Sequence, residues 1–422
     1  MKRKCIILIS IVLICISSIV CARYILRKSF DIQATTKPFY FEASAQQEVV
    51  ELYQEATINL TIKNYISESE FNDFNTNYQI TLENNDKFQI AVEDANSGTI
   101  ASGKSDNQVT LTLTAVANAS IKAREDIVLK ITSTSPYNKE IRIALKVYML
   151  GRYVQYDNRL WVIMYNDDVN GIQLISDNVL EPDNVWLGSK DTTIQNAVNE
   201  TTQNKDLNGD GVIENMTLDN TRATVNNVEK AAYSYNNMIK ILNTRCESLV
   251  TDKSKIAKNE QGQYLIRSVG TVPNDKDYEV TTMYTSNLLA SWPVASANTG
   301  YSVGALNGKL KDMDKNWETD RSRMVELNLK IAYNSSGVVC EYWFGTRYNL
   351  INDTNTNTSF GGRFMSTEGA LTRRRFFSIT SSTVNIVADT TKTNYGVRPV
   401  INIDPAFEIS GIGTKASPFV IK

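Results

Sequence analysis

Histidine is absent from this sequence of 422 residues. Imidazole is the one side chain whose unperturbed pKa lies in the neutral range, and it is the commonest metal ligand. Without it, Ser-His-Asp and Cys-His catalysis are excluded. So are the usual catalytic zinc sites and the iron site built from two histidines and a carboxylate. A Ser-Lys dyad would show a Ser-x-x-Lys spacing, which does not occur in the chain. Strong charge of one sign is missing as well: 44 Lys and Arg stand against 46 Asp and Glu, for a net charge of -2. Nucleic-acid binders usually carry a basic stripe, and nothing here supplies one. Proline is scarce, at 8 residues.

What is present is ordinary globular material. Hydrophobic residues make up 42% and charged residues 21% of the chain, in a length that suits two or three domains with proper cores. Carboxylate-only chemistry stays open, because 46 acids leave room for a close pair. Most acids in a chain of this kind are solvated surface charges.

The sequence opens with Met1-Lys-Arg-Lys4, followed by the uncharged stretch CIILISIVLICISSIVCA over residues 5–22. A positive lead before an apolar run of this length reads as an export signal. No A-x-A cleavage pattern follows, so the expectation is an uncleaved signal-anchor over residues 1–30. That predicts a single-pass membrane protein with the remainder extracellular; secretion after signal cleavage is the alternative. Cys21 lacks the surroundings of a lipidated cysteine, since Ser18 and Val20 occupy the positions that motif needs.

Residues 31–150 read as β-structure throughout. ATINLTIK at 56–63, YQITL at 78–82, KFQIAV at 87–92, VTLTLT at 109–114, IVLKI at 127–131 and IRIALKV at 141–147 alternate or nearly alternate at period two. Polar turns such as NND at 84–86 and NSG at 96–98 separate them. Short alternating strands at regular spacing predict an immunoglobulin-like β-sandwich. No tryptophan and no cysteine pair falls in this part.

A second domain is expected over residues 151–422, where all five tryptophans lie. RYVQY at 152–156, a turn at Asp157-Asn158, RLWVIM at 159–164, a turn at Asn170-Gly171 and IQLI at 172–175 predict a meander. Val228, Ala231, Ala232, Tyr235, Met238, Ile239 and Leu242 share one face of a predicted helix, with Asn226 and Glu229 as its cap. The tail YGVRPVINI at 395–403 reads as strand.

In order, this part contains the LWVI strand at 160–163, the helix ending in Leu242-Asn243, RSVG at 267–270 and EYWFGTR at 341–347. The terminal signature is GVRPVI at 396–401, GIGT at 411–414 and PFVI at 418–421. Residues 151–422 thereby resemble bacterial surface modules of the C-type-lectin-like fold, distant relatives of formylglycine-generating enzymes. Residues 31–150 look like immunoglobulin-like modules of secreted Gram-positive proteins. The resemblance implies a fold and not an activity. The enzyme branch needs a specific cysteine pair, and neither Cys246 nor Cys340 stands in such a context, so no catalysis is carried over. Glu181-Pro-Asp-Asn184 looks like a sugar-binding calcium loop but lies too early in the domain, and it reads as a turn.

The strongest local motif is DLNGDGVI at 206–213. Asp206, Asn208 and Asp210 offer oxygens at the spacing of a calcium loop, Gly211 permits the sharp turn, and the Val212 carbonyl would join them. Thr217 stands where a bidentate acid is usual; Glu214 or Asp219 would substitute by an irregular path. A site of this kind would bind calcium at roughly 0.1–1 mM and rigidify a loop. The alternative is a plain Gly/Asp-rich turn. Cys246 and Cys340 are the candidate disulfide, which over a loop near ~100 residues would stabilise by ~4.7 kcal/mol in the chain-entropy model; two free thiols are the alternative. The run Arg373-Arg-Arg375 reads as a solvated strand edge, because consecutive residues cannot share a face. Trp161 and Trp343, inside apolar runs, read as core.

The sequence therefore leads to a β-rich multidomain chain: an N-terminal membrane helix, an immunoglobulin-like β-sandwich, then an α+β C-type-lectin-like domain. The expected function is a non-catalytic, adhesin-like cell-surface binding protein whose head recognises a protein or glycan. A structural subunit of a surface assembly and a carboxylate-dependent surface hydrolase are the rival readings.

Overall fold

The computed structural model describes residues 38–83, 85–92, 96–186, 203–205, 214–216, 233–234, 238–271, 281–282, 316–352, 357–381, 384–388 and 394–422. Its contacts divide into two compact units: one runs to Arg152 and takes in Glu408–Val420, and the other runs from Tyr153 to Phe407.

The first unit contains β1 (Glu42–Ala45), β2 (Val49–Leu52), β3 (Glu55–Lys63), β4 (Thr76–Leu82), β5 (Phe88–Val92), β6 (Ser97–Ile100), β7 (Asp106–Ala115), β8 (Ile121–Lys122), β9 (Arg124–Ser135) and β10 (Lys139–Met149). They form two sheets, ordered β1-β3-β7-β5 and β2-β10-β9-β4-β6. All pairings are antiparallel except β2 with β10, which is parallel. The period-two pattern does the work expected of it: Ile58, Leu60 and Ile62 on β3, Leu111 and Leu113 on β7, and Leu129 and Ile131 on β9 are fully buried. Each such side chain contributes about 1.5–3 kcal/mol relative to an exposed one.

Polar loops are held by buried asparagines. The amide of Asn72 accepts from the Tyr40 backbone N–H at 3.0 Å and donates to the Tyr40 carbonyl at 2.8 Å. Asn64 donates to the Ala101 carbonyl at 2.7 Å and accepts from the Ser105 N–H at 3.0 Å. Both are buried, and in each the fixed amide replaces a backbone partner that a loop cannot supply.

The second unit begins with β11 (Tyr153–Tyr156), β12 (Arg159–Asp167), β13 (Gly171–Ser176) and β14 (Leu180–Trp186). Asp157 and Asn158 have φ of 49° and 56°, the twist that a two-residue hairpin requires and that Asp and Asn tolerate. β15 (Gln203–Lys205), β16 (Glu214–Met216) and β17 (Tyr233–Ser234) follow, then α1 (Met238–Leu249), β18 (Ile266–Ser268), β19 (Thr281–Thr282) and α2 (Asn316–Glu326). β20 (Tyr342–Asn352), β21 (Asn357–Met365), β22 (Leu371–Ser381), β23 (Val384–Ala388), β24 (Asn394–Val397) and β25 (Pro399–Ile403) complete it. One sheet runs β18-β25-β13-β12-β11 and the other β14-β24-β20-β21-β22-β23. Trp161 and Trp343 are buried as expected. Past the second unit, β26 (Ile409–Gly411) pairs with β8 in the first unit, and β27 (Phe419–Ile421) is the last strand.

Three expectations are corrected here. The second unit is not an α+β lectin-like domain: its described residues are dominated by strands, with two helices of 12 and 11 residues. The helix expected to end at Leu242 instead starts at Met238, and Tyr233–Ser234 is strand, paired with Thr281–Thr282. The reason lies in what α1 buries. Leu242 and Cys246 are buried at i and i+4, and Val250, just past the helix, continues the spacing, so the apolar stripe extends beyond Leu242. The remaining residues of the expected face, 228–232 and 235, lie outside the described residues.

The membrane helix is the third correction. No helix among the described residues is long and apolar enough to cross a membrane. At 1.5 Å per residue, twelve residues span about 18 Å, well short of a hydrocarbon core of about 30 Å. The stretch at 1–30 lies outside the described residues. The signal-anchor, the membrane as partner and the single-pass extracellular placement are therefore withdrawn.

Candidate functional site

Among the described residues of the second unit, a buried polar cluster forms around Asp320. α2 places Asp320 and Met324 on one buried stripe that Leu327, just past the helix, continues, so an acid occupies a position flanked by apolar groups. Its partner is Arg267 on β18. The guanidinium meets the carboxylate with Nη1–Oδ2 at 2.5 Å and Nη2–Oδ1 at 3.0 Å. The two side chains are 4% and 2% exposed.

Two further donors fill the carboxylate. The Gly270 backbone N–H reaches Oδ2 at 2.6 Å, and the Tyr165 hydroxyl on β12 reaches Oδ1 at 3.0 Å. Burial, together with the charge of Asp320, pushes the Tyr165 hydroxyl far above its ordinary value. Arg267 spends its remaining capacity on Gln173 Oε1 at 3.2 Å and the Ser268 carbonyl at 3.4 Å. Gly270 makes this approach feasible: its φ is +85°, and a Cβ there would stand 2.8 Å from the Phe344 ring.

A second buried guanidinium, Arg398, lies between β24 and β25 and takes carbonyls instead of an acid. Nε and Nη2 donate to the Ser176 carbonyl at 3.2 and 2.8 Å, and Nη1 donates to the Leu329 carbonyl at 2.6 Å. Its carbon stands 5.2 Å from the centre of the Tyr342 ring. The Tyr342 hydroxyl donates to the Lys330 carbonyl at 2.8 Å, and burial raises its pKa against the opposing influence of Arg398.

α1 is fastened to the same region. Asn243 Oδ1 accepts from the Ser268 N–H at 2.8 Å and the Thr271 hydroxyl at 2.7 Å. Arg245 forks onto Glu181 at 2.9 and 2.7 Å. At the helix exit Asp157 accepts from the Asp252 N–H at 2.9 Å and from the Thr251 hydroxyl, while Arg159 donates to the Leu249 carbonyl at 2.6 Å. Glu181-Pro-Asp-Asn184, expected as a turn, is a bulge in β14 where the register against β24 shifts.

The residues singled out in the sequence fare differently. Asp206, Asn208, Asp210 and Val212 lie outside the described residues. Glu214 begins β16 opposite Lys205 on β15, so residues 206–213 connect the two strands of a hairpin. Cys246 and Cys340 are both free thiols, the second of the two alternatives left open for them. Cys246 lies on the buried face of α1, and burial pushes its pKa up to about 12. Cys340 donates instead to the Val338 carbonyl at 3.3 Å. Arg373–Arg375 pair with β21, while β23 ends at Ala388 opposite Phe377 and does not reach them.

The sequence reading missed Asp320, Arg398 and the Glu181–Arg245 pair. A readable signal existed for one of them: an acid at i of an i, i+4, i+7 stripe completed by Met324 and Leu327.

Chemically, these groups brace the fold. Asp320 receives four hydrogen bonds, two on each carboxylate oxygen. Among the described residues no group of three His, Cys, Asp or Glu side chains converges as a metal would require.

No family model matches the chain and no curated protein matches it. Among solved structures, it is similar to the cupredoxin domain of amoB from Nitrosocaldus yellowstonii, with 12% identity, TM-score 0.17, and 22% of this chain covered against 56% of that one. The E. coli chaperone DraB aligns at 14% identity and TM-score 0.20, covering 30% of this chain and 68% of that one. A PapD-like domain of human CEP192 aligns at 10% identity and TM-score 0.19, covering 29% and 94%. Likenesses at these scores carry no argument about this chain.

Proposed function

We propose that the chain is a non-catalytic binding protein whose second unit recognises a protein or a glycan. The observation that supports this most directly is the saturation of Asp320, a buried acid in the second unit. Its oxygens are committed to Arg267, Gly270 and Tyr165, the pattern of a brace and not of a general acid or base. The absence of histidine from the whole chain points the same way. Rigid scaffolds of this kind position loops for recognition.

The same reading gives Asp206, Asn208, Asp210, Val212 and Glu214 the role of weak calcium ligands that order the connection between β15 and β16. The test is binding of the purified full-length chain to glycan and protein arrays, with calcium and with chelator. Saturable binding to one ligand class supports the proposal. Its loss on chelation and on Asp206→Ala supports the calcium role. Silence on every ligand would overturn the recognition reading in favour of a structural subunit, and calcium-independent binding would overturn the metal assignment alone.

A further inference from the structure

We draw no further inference here: the strongest candidate, the half-exposed aromatic cluster of Phe39, Phe74 and Tyr137 where the leads into β1 and β4 meet the β9–β10 turn, carries nothing because nothing in the structure shows what covers it.

Discussion

Arg267 and Asp320 lie 53 residues apart in the chain and meet as a two-point fork inside the second unit. Removing one partner leaves the other charge buried and unpaired. Asp320→Ala is therefore expected to cost about 3–5 kcal/mol. Replacing both, as Arg267→Met with Asp320→Leu, should recover only part of that loss: the unpaired charge is gone, but the Gly270 N–H and the Tyr165 hydroxyl stay buried without their acceptor. Denaturant unfolding of the two variants checks this. A loss below about 1 kcal/mol for the single variant would mean the pair is solvated, since exposed pairs are worth that little.

Arg398 sets a different expectation. Its planar fork serves the Ser176 and Leu329 carbonyls at once. Lysine keeps the charge but cannot span both acceptors. Arg398→Lys should lower stability by about 2–3 kcal/mol, the range for hydrogen bonds to a charged group. Thermal unfolding at fixed pH measures it, and an unchanged midpoint would remove Arg398 from the list of braces.

Gly270 and Gly337 separate backbone strain from crowding. Both have positive φ, at +85° and +78°, but a Cβ meets the Phe344 ring only at Gly270. Alanine at Gly337 should cost about 1 kcal/mol, from the backbone alone. At Gly270 the cost should rise by a further 1–3 kcal/mol or so for the added overpacking. Equal losses at the two positions would contradict the close approach of Phe344.

These braces explain how much of the molecule the sequence made legible. The strands of the first unit followed from alternation because each buries one face, and period two records that directly. The hairpin at Asp157-Asn158 was equally readable, since few residues accept two positive φ values in succession. The Arg267–Asp320 pair was not, because its members are single charged residues in separate elements and become partners only through packing. The extent of α1 was unreadable for a related reason: the buried residues Leu242, Cys246 and Val250 continue past the point where the matched spacing ended. The resemblance to a lectin-like domain rested on short strings such as GVRPVI, where Arg398 is a brace that many strand arrangements could use.

The two described thiols should differ in reactivity. Cys246 is fully buried with a pKa pushed up to about 12, while Cys340 is half-exposed. Thiolate is the reactive form, so alkylation of the native chain followed by peptide mapping should modify Cys340 well before Cys246. Comparable labelling would show that α1 opens readily.

The same burial predicts alkaline sensitivity. Cys246 rises from 9.0 to about 12 on folding, and Tyr156 rises from 10.0 to about 12. A group whose pKa is raised in the folded state releases its proton first in the unfolded chain. Its contribution is complete below the unfolded value and is lost as pH climbs through the folded one. Stability should therefore decline between about pH 9 and 12, and Cys246→Ala should flatten part of that decline. Denaturation midpoints across this window test it; a flat profile would contradict the enclosure of both groups.

The central claim is that the chain holds a ligand without changing it. The most direct measurement incubates the purified full-length chain with each ligand it binds and follows the ligand's mass over many hours. The account predicts that every ligand is recovered intact. A product that accumulates in proportion to the concentration of the chain, and disappears when a single acid is replaced by its amide, would contradict it.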